Sequence, residues 1–350
     1  MRSFLITYFV TLSIFLNAQI GGTKAFKFLD IPMTSRAAAN GGTNMGLWNT
    51  DIHSLHSNPA LLNKYMTKQI ALNYCNNVGD LNFGYAAYAH SLKEKGVIAG
   101  SLQFFDYGTF NGYDEFGTKT NNFKANDYSI NFSYAKPFKD SSFNIGATFK
   151  TLISTYDVYQ SFGNALDFGI VYRKTNFNAS ILVKNVGIVY KSYTTNSIND
   201  KLPTNLQLGF SYKLPKAPFR PFVTFDNLNN RNLKYISPID TTGKANVLVT
   251  DSRKLDSTGF QKFGVRFNNR FDGLMRHTII GTEIVFSKNF NLQIAYNYRR
   301  QKEMTLPERR GVNGLSFGFH MNFKRFAFAY SFSKMAFPGN ASIFSLTVKL

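Results

Sequence analysis

Hydrophobic and polar residues alternate one by one along much of the chain, most clearly between Gly314 and Leu350. From Leu315 to Phe323 every odd position is apolar, and the positions between are polar or small. The same alternation resumes at Phe326 and again at Phe344. Successive side chains leave a β-strand on opposite faces, so this period of two predicts strands with one aromatic-rich face and one polar face.

Similar stretches recur upstream. Each marks one predicted strand, and their alternating apolar positions lie within 68–74, 81–89, 96–106, 130–134, 143–149, 166–172, 177–183, 206–214, 219–225, 278–286 and 290–299. Short turns are predicted at 92–95, 138–141, 174–176 and 215–218, and long loops at 107–125, 156–163, 185–204 and 228–276. Most predicted strands run for about nine to eleven residues, enough to cross a bilayer at a tilt. Short periplasmic turns with longer external loops are the asymmetry expected of an outer-membrane barrel.

The strand count tests this interpretation. Nine strands precede the external loop 228–276 and five follow it, which gives the even number that single-chain bacterial barrels have. The count becomes sixteen if 244–252 and 260–268 also span the membrane. A soluble β-sandwich could alternate in the same way, but repetition over this length with outward Phe and Tyr favours a lipid-facing barrel. We predict an all-β fold: a transmembrane antiparallel β-barrel of about fourteen strands over residues 65–350.

Two segments precede the predicted barrel. Residues 1–18 combine Arg2, an apolar run from Phe4 to Leu16 and the small residue Ala18, which predicts a signal peptide too short to be a membrane helix. Residues 19–64 alternate only weakly and are interrupted by several glycines. We interpret them as a small N-terminal plug, or hatch, that the barrel covers.

Composition and charge agree with an exported membrane protein. Mean hydropathy is −0.19, which a barrel tolerates because half of each strand faces a polar lumen. The formal net charge is +20 and aromatic residues make up 16%. The positive charge is scattered through turns and loops, and export excludes nucleic acid as a partner, so we expect the cell outer membrane, with its lipid and anionic lipopolysaccharide, to be the surroundings.

Motifs for catalysis or cofactor binding are missing from the sequence. There is no phosphate-binding glycine loop, His-Glu-x-x-His helix or Gly-x-Ser-x-Gly elbow. Asp51, His53 and His56 lie close together but offer too few ligands for a metal site, and the single cysteine, Cys75, can form no internal disulfide. We therefore expect no catalytic residues, no cofactor and no metal, and predict that the protein is not an enzyme.

The predicted hatch carries three short motifs in succession. They are Phe26-Lys27-Phe28-Leu29-Asp30-Ile31-Pro32, then Ser35-Arg36-Ala37-Ala38-Ala39-Asn40-Gly41-Gly42, then Asn58-Pro59-Ala60-Leu61-Leu62. Together with Lys213–Arg220, Asp226–Asn229, Gly281–Glu283 and Tyr296–Arg300, they resemble FadL-like outer-membrane proteins, in particular the PorQ-like family of the type IX secretion system. The hatch residues with predicted structural roles are Phe28, Leu29, Pro32, Arg36, Gly41, Gly42, Asn58, Pro59 and Ala60. We expect Arg36 to be buried against hatch carbonyls or lumen carboxylates, which its fork of donors suits.

The resemblance implies a non-enzymatic role in the attachment complex of type IX secretion. That complex processes exported cargo and joins it to anionic lipopolysaccharide. A PorQ-like member would anchor a PorZ-like surface protein beside PorU-like and PorV-like components. The loops 228–276, 107–125 and 185–204 would form the docking surface.

Two other functions remain open. A FadL-type channel for hydrophobic small molecules would need an apolar path, whereas the predicted inward positions are largely polar, as at Gln207, Lys213, Asn291, Gln293 and Asn297. A general porin would need an open lumen, which a hatch would block.

Overall fold

The computed structural model describes residues 24–76, 81–138, 142–193, 200–230, 233, 271–304, 313–334 and 340–350. The predicted signal peptide, residues 1–18, and most of the predicted loop 228–276 lie outside these ranges.

The described strands close into an antiparallel barrel in which each strand pairs with its neighbours in chain order and the last returns to the first. They are β1 (Gln69–Asn76), β2 (Asn82–Ser91), β3 (Val97–Phe110), β4 (Phe123–Phe138), β5 (Phe143–Tyr156), β6 (Tyr159–Lys174), β7 (Phe177–Lys191), β8 (Asn205–Tyr212), β9 (Phe219–Phe225), β10 (Thr278–Val285), β11 (Phe290–Asn297), β12 (Leu315–Asn322), β13 (Phe326–Lys334) and β14 (Asn340–Lys349). The predicted fourteen-stranded all-β barrel is confirmed.

The two faces of the wall follow the alternation in the sequence. Outward aromatic and aliphatic side chains are exposed, for example Phe132 at 67%, Leu166 at 53% and Phe317 at 50%. The intervening inward residues, such as Asn131 and Ser331, are buried. An apolar exterior around a closed sheet is the surface that lipid covers in an outer-membrane barrel.

Phenylalanines also mark the end of the barrel that carries the short turns. These exposed phenylalanines form a ring at the strand ends and in the adjoining turns: Phe138, Phe143, Phe177, Phe219, Phe286, Phe323 and Phe326. Aromatic girdles of this kind lie at the boundary between lipid and water. Since the periplasmic turns of outer-membrane barrels are short, this boundary is the periplasmic one and the opposite end of the barrel is external.

The predicted strand lengths are wrong on one side of the barrel. Strands β3 to β7 contain 14 to 16 residues, and the predicted long loop 156–163 is a hairpin in which Tyr156 pairs with Tyr159. The predicted loops 107–125 and 185–204 likewise begin as strand. Outside the lipid, outward positions need not be apolar, as at Lys124 and Gln160, so the hydrophobic pattern stops while backbone pairing continues.

The alternative of sixteen strands is excluded. Strand β9 pairs directly with β10 from Phe219 to Phe225, so no other strand separates them. The residues 244–268, on which that alternative depends, lie outside the described ranges.

Several short helices accompany the barrel. The 3₁₀ helices are Lys27–Asp30, Ile52–His56, Pro59–Leu61, Lys64–Met66 and Lys93–Lys95, the α-helices are Ser35–Ala39 and Tyr298–Glu303, and residues 271–276 are also helical. None of the helices in the described ranges is long and apolar enough to cross a membrane.

Residues 24–68, here called the lumen segment, contact the inner face of the wall on all sides. Hydrogen bonds join its backbone to Asn144 on β5, Ser211 on β8, Asn297 on β11 and Ser345 on β14. Because these strands stand on different sides of a closed barrel, the segment that reaches all of them lies in the lumen. It extends a few residues beyond the predicted boundary at 64, because β1 begins only at Gln69.

Candidate functional site

Arg36 is the centre of a balanced charge cluster inside the lumen. Its side chain is 3% exposed, Nε lies 3.2 Å from Asp51 Oδ2, and Nη1 lies 3.2 Å from Glu283 Oε1 on β10. The other oxygen of Glu283 lies 3.0 Å from Arg220 Nη1 on β9. Two guanidinium groups thus meet two carboxylates, and the buried, charge-assisted hydrogen bond from Arg36 to Glu283 joins the lumen segment to the wall.

The three residues considered as metal ligands do not come together. His53 Nδ1 lies 2.7 Å from Asp51 Oδ1, beside Thr347 on β14. His56 instead accepts a hydrogen bond from the backbone of Met33 through Nε2, at 3.3 Å, and contacts Gln103 through Nδ1, at 3.1 Å. Among the described residues no group of three His, Cys, Asp or Glu side chains is placed to hold a metal ion.

The Asn58-Pro59-Ala60 motif seats the lumen segment against β5 and β6. Asn58 Oδ1 accepts the Ala60 amide at 2.9 Å and caps the short helix that begins at Pro59. Asn144 donates to the Ala60 carbonyl at 2.6 Å. A Cβ at Gly146 would stand 2.4 Å from the Pro59 carbonyl carbon, so a glycine in the wall permits this contact.

The apolar residues of the hatch motif form the other part of this packing. Phe28 is buried edge-on against Phe105 of β3, with ring centroids 5.6 Å apart. Leu29 joins the same core, and Pro32 is buried as well. These side chains hold one side of the segment to the wall and offer no polar chemistry.

Gly41 and Gly42 lie at the external end of the lumen. Their φ angles are +80° and +126°, values that glycine adopts without strain. The Gly41 carbonyl accepts Asn297 Nδ2 at 2.9 Å. A Cβ at Gly42 would stand 2.9 Å from Arg300 Nη2, so this glycine makes room for a guanidinium.

A cavity of about 60 Å³ opens beside this glycine pair. Its charged lining comprises Asp30, Lys184, Asp226, Arg299 and Arg300, and most of the remaining lining is polar. The lining strands contribute their external ends, so the cavity lies at the external end of the lumen. Sequence reasoning missed Lys184, Asp226 and Arg300 as members of a site.

One sequence signal could have revealed Lys184. Val183 and Val186 both belong to the outer face, but two polar residues separate them instead of one. The structure has a β-bulge there, where Lys184 and Asn185 together face Asp167 on β6. Bulges re-aim side chains and often lie next to functional sites.

A cavity of about 510 Å³ opens at the short-turn end of the lumen beside Trp48, Arg173 and Arg220, and two further lumen cavities are small, with largely polar linings. These two measure about 60 Å³ and 10 Å³. An engineered cavity that binds benzene measures roughly 150 Å³ and is lined by apolar side chains. The two small cavities therefore fit a small polar group, and the larger one is lined mostly by polar side chains, unlike that apolar cavity.

Comparison with known proteins yields a fold but no family. No family model matches the sequence, and no curated protein matches it. Among 63 matching chains of solved structures is the Pseudomonas putida toluene transporter TodX, with 12% identity, a TM-score of 0.53, and coverage of 94% of this chain and 100% of that one. The Ralstonia pickettii toluene transporter TbuX matches with 10% identity and a TM-score of 0.50, over 93% of this chain and 100% of that one. The CymD monoaromatic hydrocarbon channel matches with 13% identity and a TM-score of 0.51, over 93% of this chain and 99% of that one.

At these identities the similarity is one of fold. The chain is an outer-membrane β-barrel with a FadL-like fold, and the comparable solved structures are transporters and channels, none of them described as an enzyme.

Proposed function

We propose that this barrel is a non-conducting anchor that holds a partner protein at the cell surface. The observation that carries the proposal is the attachment of the lumen segment to the wall. Arg36 pairs with Glu283, glycines of β5 and β6 admit the segment, and the lumen cavities are lined mostly by polar side chains. A lumen occupied in this way suits a rigid support better than a passage for hydrophobic molecules.

The type IX attachment complex is the specific assembly that we propose. The support is the resemblance of the hatch motifs and of segments such as Lys213–Arg220 and Tyr296–Arg300 to PorQ-like proteins. In that role the barrel binds a PorZ-like surface protein beside PorU-like and PorV-like components. The external loops, chiefly 228–276, supply the docking surface while cargo is joined to anionic lipopolysaccharide.

Affinity isolation from detergent-solubilised outer membranes tests the proposal. We expect the tagged full chain to retain a large surface protein, and replacement of residues 234–270 by a short Gly-Ser linker to release it. The matched control replaces Lys93-Glu94-Lys95 in a periplasmic turn and should retain the partner. Both variants should still show the heat-modifiable gel mobility of a folded barrel. Retention after loss of 234–270 contradicts the loop assignment, and absence of any protein partner contradicts the anchor.

A channel for hydrophobic small molecules is the second candidate, favoured by the fold shared with TodX, TbuX and CymD. Uptake of radiolabelled toluene by cells producing the barrel separates the two functions. An anchor leaves uptake at the level of cells without the barrel. A channel raises it, and the increase should disappear when the barrel is removed.

A further inference from the structure

Two cations at the external end of the lumen form no direct ion pair within the described part of the chain. Lys184 is 9% exposed, yet no hydrogen bond or ion pair engages its Nζ among those residues. Arg300 Nη1 is buried and has no hydrogen-bond partner there. Both side chains line the same cavity. An uncompensated buried charge costs on the order of several kcal/mol, so two at one place require an explanation.

The carboxylate that faces Lys184 across β6 and β7 already has two other donors. Asp167 lies 2.7 Å from Lys150 Nζ and accepts the Asn185 amide at 2.8 Å. Lys150 also donates to the side chain of Asn185, at 2.8 Å. At the bulge, Asp167 therefore pairs with Lys150, and the Lys184 side chain faces the cavity instead.

Asp226, on the cavity lining, is engaged as well. Four donors surround its two oxygens: Asn205 at 2.8 Å, Gln207 at 2.6 Å, Asn227 at 2.7 Å and Arg299 at 3.3 Å. The other acidic residue of the lining, Asp30, pairs with the exposed Lys27 at 3.2 Å. The lining therefore carries three cations and two engaged carboxylates.

The positions of the two cations are built into the fold. The bulge directs Lys184 inward, and the bare Cα of Gly42 leaves space for the Arg300 guanidinium. Burial, with a smaller contribution from the Arg299 charge, lowers the pKa of Arg300 to about 10, so the guanidinium stays protonated at neutral pH. Both groups can donate charge-assisted hydrogen bonds, and a guanidinium matches the oxygens of a tetrahedral anion.

We propose that this cavity binds a phosphate group, with Lys184 and Arg300 as its charged donors. A water needs about 10–15 Å³ of such space, so a cavity of about 60 Å³ has room for one five-atom phosphate. The phosphate belongs either to a free ion or to a phosphomonoester at the cell surface. Neither Lys184 nor Arg300 belongs to the loops 107–125, 185–204 and 228–276 of the proposed docking surface, so phosphate binding can be tested separately from anchoring.

Calorimetric titration of the purified full chain in detergent with inorganic phosphate, at constant ionic strength in chloride, tests the proposal. We expect wild-type protein to bind phosphate, and Lys184→Met and Arg300→Met each to weaken binding at least tenfold. Lys184→Arg should restore most of the affinity, and Lys95→Met, which changes an exposed lysine in a short turn at the other end of the barrel, should leave it unchanged. Heat-modifiable mobility verifies that each variant is folded.

Two results overturn the proposal: no phosphate binding by the wild type, or unchanged binding in both methionine variants. If a methionine variant fails to fold, the Lys184→Arg protein still tests the proposal. It keeps the positive charge at position 184, so complete loss of phosphate binding in this folded variant would contradict the proposed site. Competition with glucose 1-phosphate identifies the source. Displacement of phosphate supports a phosphomonoester headgroup as ligand, and binding of inorganic phosphate alone supports the free ion.

Discussion

Two charged clusters in one lumen differ in whether their charges are compensated. Around Arg36, two guanidinium groups meet Asp51 and Glu283, and the positive and negative groups are equal in number. Around Lys184 and Arg300, the nearby carboxylates already serve other donors. The first cluster can be explained by the attachment of the lumen segment to the wall. The second is not explained by packing, which makes it the better candidate for a ligand site.

The largest expected effect is the loss of the balanced cluster. Arg36→Ala leaves Asp51 and Glu283 short of one buried positive charge, and we expect a loss of about 3–5 kcal/mol in the free energy of unfolding. The temperature at which the folded gel band converts to the unfolded band should fall accordingly. A variant as heat-resistant as wild type would mean that this cluster contributes nothing to the attachment of the lumen segment.

A wall glycine should give the next largest effect. In Gly146→Ala, the new Cβ would meet the backbone of Pro59 and Ala60 at 2.4–2.5 Å, and overpacking of this kind costs about 1–3 kcal/mol. Gly100→Ala is the matched control, because a Cβ at that outward position meets nothing within 4 Å. The same gel assay should show a lower transition for the first protein only. Equal transitions would argue against close packing between the segment and β5.

Lys184→Met should change stability in the opposite direction from Arg36→Ala. In phosphate-free buffer the substitution removes an uncompensated cation, so we expect the free energy of unfolding to rise by on the order of 1 kcal/mol. The measurement is the unfolding transition with and without phosphate, and phosphate should stabilise only the wild type. Destabilisation of the variant in phosphate-free buffer would show that the fold itself uses the Lys184 charge.

The smallest effect is expected at the rim. Lys27 and Asp30 form an ion pair with side chains 65% and 37% exposed, and such pairs contribute about 0–1 kcal/mol. Lys27→Ala should therefore leave the unfolding transition almost where it is in wild type. A large decrease in the transition temperature would mean that exposed ion pairs in this lumen contribute as much to stability as buried ones do.

Local patterns in the sequence predict the wall well. The exposed Phe132 and Phe317 and the buried inward residues follow from the period of two, because lipid acts on every outward position alike. The hydrophobic pattern predicts the positions of the strand ends less well. The outward residues Lys124 and Gln160 lie on paired backbone that the apolar pattern does not reach.

The sequence by itself determined which face of each strand meets lipid and which N-terminal motifs would be packed, and it favoured fourteen strands over sixteen. Only the tertiary structure decided the partners of the charges. Arg36 pairs with Glu283 across 247 positions of sequence, while Lys184 has no ion-pair partner among the described residues although Asp167 faces it across β6 and β7. The physical reason is that alternation is a property of neighbouring residues, whereas charge compensation depends on which distant side chains the closed wall brings within a few ångströms.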